Sequence, residues 1–145
     1  MKLYKICVNG SREFNDYRYL KIRIEKHVLN AYNKHGYDNI DKIAILSGGA
    51  RGADRLGEIK GYGDGFKVIR YPANWDKHGK KAGMLRNIEM IDACDELISF
   101  WDGESKGTKH AIEYAQSIEK KVTVYLYKQD KDYEPEQSQL PKKGL

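Results

Sequence analysis

The chain has 145 residues, 40% of them hydrophobic and 32% charged, with 26 lysines and arginines against 21 acidic residues and a net charge of +5. This length suits one globular domain with a core of its own, and no run approaches the roughly 18 apolar residues of a membrane span, so a cytoplasmic protein without a membrane partner is expected. The charge favours an anionic partner, polymer or small molecule alike.

Residues 2–8 read as a first strand, broken by Asn9, Gly10, Ser11 and Arg12. Over residues 16–35, Leu20, Ile24, Val28 and Tyr32 recur at helical spacing, with Asp16 as N-cap and Gly36 as stop. Residues 43–46 suit a strand buried on both faces. A glycine-rich turn over 47–54 and a short helix towards Lys60 follow. Residues 67–71 make a third strand closed by Pro72, and a basic loop over 74–81 leads into a helix over 82–94. Residues 96–101 are a fourth strand, 102–108 a second glycine-rich turn, then a helix to Glu119 and a fifth strand over 121–127. This alternation predicts a single α/β domain over residues 1–127. It is a Rossmann-like, doubly wound, mainly parallel five-stranded sheet with helices on both faces. Residues 128–145 are polar, carry Pro135 and Pro141, and read as a mobile tail.

Cys7 and Cys94 each sit in an apolar stretch, where a buried thiol acts as a small hydrophobe. Neither has a cysteine or histidine at metal-ligand spacing, so no metal site is expected.

Ligands of such sheets bind in the crevice outside the carboxyl ends of the strands, and three turns follow strands at that edge. The clearest comprises Ser47, Gly48, Gly49, Ala50, Arg51, Gly52 and Asp54. Glycines let backbone N–H groups approach a phosphate, and the next helix adds its positive end. Arg51 offers a bidentate contact, and Asp54 either caps the helix or accepts a hydrogen bond from a ribose hydroxyl. The run matches neither a Walker A loop nor the dinucleotide fingerprint. Asp102, Gly103, Ser105, Lys106, Gly107 and Thr108 repeat the pattern after the fourth strand, and Gly10, Ser11 and Arg12 after the first. One such turn can bind nothing; three at one edge point to an anion.

Lys77, His78, Lys80 and Lys81 crowd the start of a helix, against its macrodipole, which an anionic ligand would offset. Arg86 and Asn87, a turn further in, are the better contacts. Trp75 and Trp101 lie beside these loops and are candidates for base stacking, with partly buried packing as the competing reading. His78 and His110 have no recognisable carboxylate partner in the sequence and take no part.

Together these segments, with Asn74-Trp75, Gly79-Lys80 and Ala82-Gly83-x-x-Arg86-Asn87, resemble the SLOG superfamily, and within it the small YspA-type branch, over about residues 3 to 127. The superfamily includes cytokinin-activating phosphoribohydrolases, the DNA-processing protein DprA and sensor domains of bacterial immunity proteins. The resemblance implies a Rossmann-like fold that recognises nucleotide-derived ligands, without a cofactor. It also implies a homo-oligomer, because relatives often dimerise. The phosphoribohydrolases carry Pro-Gly-Gly-x-Gly-Thr-x-x-Glu with a catalytic glutamate. Here Gly107-Thr108-Lys109-His110-Ala111 places Ala111 at that position. Arg86 matches their catalytic arginine, while Glu89 and Glu113 lie nearby without fitting the motif.

Three functions stay open. The first is a protein that senses or sequesters an ADP-ribose-like molecule or cyclic nucleotide, in a setting related to anti-phage defence. The second is a nucleotide or N-glycosidic hydrolase of phosphoribohydrolase type, needing a carboxylate such as Asp54, Glu89 or Glu13. The third is DprA-like nucleic-acid binding.

Overall fold

A computed structural model describes residues 2–38 and 40–135, in which five strands alternate with helices. In chain order these are β1 (Lys2–Gly10), α1 (Tyr17–His35), β2 (Ile40–Ser47), α2 (Ala53–Gly63), β3 (Lys67–Arg70), α3 (Trp75–His78), α4 (Ala82–Ala93), β4 (Glu96–Trp101), α5 (Lys106–Ser117) and β5 (Lys121–Leu126). The basic loop is therefore partly ordered, since α3 and a 3-10 turn over Gly79–Lys81 occupy most of it. Asn74 starts it by accepting the Lys77 N–H on its side chain at 3.1 Å.

All strand pairs are parallel and the order is β3-β2-β1-β4-β5. This bears out the doubly wound sheet. Side chains alternate across the strands, so each apolar run feeds two cores. Ile6 and Val8 of β1, Ile43 and Ile45 of β2 and Phe100 of β4 pack with Leu20 and Ile24 of α1 and Ala53 of α2. Cys7, Leu46 and Leu97 face the other way, against Met90 and Ile91 of α4 and Ala111 and Ala115 of α5. Each fully buried aliphatic side chain contributes about 1.5–3 kcal/mol. Both cysteines are buried free thiols in this second core, and burial pushes Cys94 up to about 11.

Asp16 caps α1 as expected, accepting the Tyr19 N–H at 3.0 Å, and the Gly36 N–H donates to the Tyr32 carbonyl at 2.8 Å. At the amino end of β4, wholly buried Glu96 accepts from the Tyr4 hydroxyl and lies 2.8 Å from His27 Nδ1. His27 Nε2 is 2.8 Å from the Tyr125 hydroxyl. Burial alone would raise the Glu96 carboxyl, but His27 and Tyr4 hold it below the usual range.

Residues 128–135, which the sequence assigns to the tail, are held against the body. Tyr133 packs on Phe14 and Tyr127, with ring centroids 5.5 and 4.6 Å apart, and its hydroxyl accepts the Asn15 N–H at 3.1 Å. The Glu134 N–H donates to Asp16 Oδ2 at 2.6 Å, and Arg23 pairs with Asp132 at 2.8 Å. The remainder of the expected tail, residues 136–145, lies outside the described residues.

Candidate functional site

Because α1 and α2 cover one face and α4 and α5 the other, the winding reverses between β1 and β4. A cleft of about 360 Å³ opens there, at the carboxyl ends of the strands. Asn9, Gly10, Arg12 and Glu13 line it from β1 and the loop beyond, and Ala50 and Asp54 from the turn after β2. Arg86 and Asn87 close it from α4, and Ser105, Lys106, Gly107 and Thr108 form the first turn of α5. All three turns singled out in the sequence thus contribute.

The turns interlock by backbone contact. Gly52 has φ of 82°, and a Cβ there would lie 2.4 Å from the Ser11 carbonyl oxygen. Only glycine lets α2 begin under the β1–α1 loop, where the Ala53 N–H reaches the same carbonyl at 3.4 Å. Gly48 makes room in another way. A Cβ there would meet Arg86 Nη1 at 2.6 Å, the nitrogen that donates to the Gly48 carbonyl at 2.9 Å. Arg86 therefore has two duties, bracing the turn after β2 and lining the cleft.

Asp54 and Asp102 already serve the backbone. Asp54, nearly buried in the first turn of α2, accepts the Ala50 N–H at 3.3 Å. Burial pushes its carboxyl up to about 6, against the lowering pull of that N–H, the Arg86 guanidinium and the Gly48 N–H. Asp102 accepts the N–H groups of Glu104 and Ser105, both at 2.8 Å, and the Ser105 hydroxyl at 2.9 Å. Burial would raise it, yet these donors bring it down to about 2. Its own N–H donates to Ser11 Oγ at 2.9 Å, so Asp102 and Ser11 set the entry to α5. The amino end of α5 then faces the cleft with Lys106, Gly107 and Thr108, and its first N–H groups have no intrahelical acceptor. A helix end of this kind favours an anion.

Several expected residues lie elsewhere. Arg51 is not among the lining residues, although it reaches the lining residue Glu13 at 2.8 Å in a pair whose side chains are 69% and 74% exposed. Trp75 lines a separate recess, and the Trp101 indole N–H donates to the Ser105 carbonyl at 3.1 Å. Ser47 donates to Glu58 at 2.6 Å beneath the turn, Gly49 lies against Arg70, and Gly103 is exposed. Lys77, His78, Lys80 and Lys81 are exposed and do not line the cleft, and Glu89 and Glu113 are exposed on α4 and α5. Ala111 is fully buried in the second core.

Two residues that support the turn are missed by sequence reasoning. Arg70 at the end of β3 reaches buried Glu58 on α2 at 2.5 Å, and its side chain runs beside Gly49. Burial would raise Glu58, but Arg70 and Ser47 hold it below its ordinary value. The available signal is positional: Arg70 ends a strand at the ligand edge, and Glu58 lies one turn after Asp54.

Residues 4–78 match the YAcAr family, described as the YspA, cpYpsA-related SLOG family, over about half of the chain. The chain belongs to this SLOG family. A relative in Mycobacterium phage D29, called Gene 61 protein, is 44% identical over 118 residues, covering 77% of this chain and 88% of its own length. No solved structure matches. The family match ends in α3, so it covers the turns after β1 and β2, whereas Arg86 and the α5 turn lie beyond it. No helix of the described residues is long and apolar enough to cross a membrane.

Proposed function

We propose that the protein binds a nucleotide-derived small molecule in the cleft between β1 and β4 and acts as a sensor or a sequestering protein. The observation that carries this reading is the convergence of the α5 amino end with Arg12, Arg86 and Lys106 on one cleft of nucleotide dimensions. A phosphate sits at the first turn of α5, where backbone N–H groups and Lys106 stabilise its charge. The sugar lies towards Asn9, Asn87 and Asp54, which offer amide and carboxylate partners for hydroxyl groups. Both tryptophans lie outside the lining, so recognition rests on phosphate and sugar contacts more than on base stacking. An ADP-ribose-like molecule or a cyclic nucleotide fits this chemistry. The relative in a phage favours a setting in which the protein sequesters a signal of bacterial immunity.

One observation favours hydrolysis as a second reading. Asp54 lines the cleft with its carboxyl near 6, a value suited to proton transfer near neutrality.

The test is calorimetry against ADP-ribose derivatives, cyclic nucleotides and nucleoside monophosphates, with chromatography of each mixture and light scattering for the assembly expected of a homo-oligomer. Binding with the ligand recovered intact, weakened about tenfold or more by Arg12→Ala or Lys106→Glu, supports the binding protein. Product formation abolished by Asp54→Asn would move the hydrolase to first place. Silence across the panel would refute both readings of the cleft.

A further inference from the structure

A second feature lies outside the cleft, on the excursion between β3 and α4. Trp75 is 58% exposed there and lines a recess of about 430 Å³ with Pro72, Ala73, Asn74 and Asp76. Tryptophan, with a large apolar ring and one N–H donor, is enriched at interfaces. Lys77, Lys80 and Lys81 follow Trp75 in the chain within six residues, all exposed, and none forms an ion pair among the described residues. Asp76 is the one acidic residue of the segment, so the segment keeps a local excess of positive charge. The segment is also held in shape. Asn74 fixes the start of α3 through its side chain and carbonyl, and the tryptophan ring lies 3.6 Å from where a Gly83 Cβ would be.

We propose that this segment binds single-stranded nucleic acid, with Trp75 stacking on one unpaired base and Lys77, Lys80 and Lys81 neutralising adjacent phosphates. An aromatic platform among unpaired cations matches both halves of that polymer, the π-face and the phosphate chain. In a duplex, stacking on neighbouring base pairs hides the faces of bases, and α3, with only four residues, cannot read a major groove. The surface is separate from the cleft: Trp75 and the three lysines line no part of it, and Arg12, Arg86 and Lys106 line no part of the recess.

The probe is a short oligothymidylate titrated against the full chain, followed by tryptophan fluorescence and by anisotropy of a labelled strand. Three neutralised phosphates give a slope of about −2 in log K against log salt. Trp75→Ala should weaken binding about tenfold, and Trp75→Phe should largely restore it while removing the fluorescence change. Lys80→Glu with Lys81→Glu should flatten the salt slope, whereas Lys26→Glu, an equally exposed change on α1, should leave it near −2. No binding at low salt, equal affinity for duplex, or indifference to Trp75→Ala overturns the proposal. So does loss of binding on Lys106→Glu with Trp75→Ala silent, which would place the strand in the cleft. Binding only of an acidic protein, with oligothymidylate ignored, overturns it as well. Circular dichroism confirms that each variant is folded.

Discussion

Replacing Asp54 by asparagine should stabilise the protein at neutral pH and alter how its stability depends on pH. Asp54 is almost fully buried at the first turn of α2, and its carboxyl is raised from 3.8 to about 6. A folded-state value above the unfolded one means that the group supports folding while protonated. That support is whole below pH 3.8, declines as pH rises, and is gone above about 6. At 1.36 kcal/mol per tenfold change in proton affinity, the ionised form sits about 3 kcal/mol less favourably in the fold. Asparagine removes the charge and keeps an oxygen for the Ala50 N–H, but turns an amide group towards the turn where Gly48 donates. A donor left without an acceptor returns about 1–2 kcal/mol of the gain. The net expectation at pH 7.5 is therefore a variant about 1–2 kcal/mol more stable than the native protein. Urea unfolding of both proteins from pH 4 to pH 8 provides the test. The native-minus-variant difference should fall by about 2 kcal/mol between pH 4 and pH 6.5 and then level off. Groups whose carboxyls are lowered in the fold and whose support is lost in acid, such as Asp102 and Glu96, are common to both proteins and cancel. A difference flat to within about 0.5 kcal/mol would refute the reasoning, since a solvated Asp54 would carry no such dependence.

Three further changes test the scaffold. Gly52→Ala forces a side chain into a backbone conformation that favours glycine and 2.4 Å from the Ser11 carbonyl, so thermal unfolding should show a loss of about 3 kcal/mol or more. Asp16→Ala removes both the cap of α1 and the acceptor for Glu134. It should cost about 1–2 kcal/mol by denaturant melt and speed proteolytic cleavage within residues 130–135. His27→Ala leaves Glu96 buried with only Tyr4 and a distant Lys121 to face it, and should cost about 3–5 kcal/mol at pH 7 in the same melts.

What could be read from the sequence depended on how local its cause was. Strand, turn and helix follow from hydrophobic period and glycine placement, which act over a few residues, so the alternation and the three turns of the ligand edge were legible. Contacts between distant segments were not. Glycines at 48 and 49 suggest N–H groups held ready for a phosphate, yet Asp54, four residues beyond Ala50, already satisfies part of that turn. Arg51 has the chemistry of a phosphate ligand, but its guanidinium is already paired with Glu13. Arg70 reads as the charged end of an edge strand until α2 brings Glu58 beneath it. Tyr133 stands among charged residues and reads as tail, because the Phe14 surface that receives it is more than a hundred positions away.

The placement of β1 has a consequence for how the chain comes off the ribosome. The strand made first ends up at the centre of the sheet, and its second neighbour, β4, arrives about ninety residues later, when Ile6 aligns with Glu96. Until then the nascent chain carries an open, apolar strand edge over Ile6, Cys7 and Val8, the kind of edge that invites wrong pairing or a chaperone. The loop with Arg12 is fastened later still, when Tyr133 and Glu134 reach Phe14 and Asp16. A half-made chain therefore has the first two glycine turns but no finished cleft, and the loop with Arg12 lacks its fastening until translation has passed residue 134.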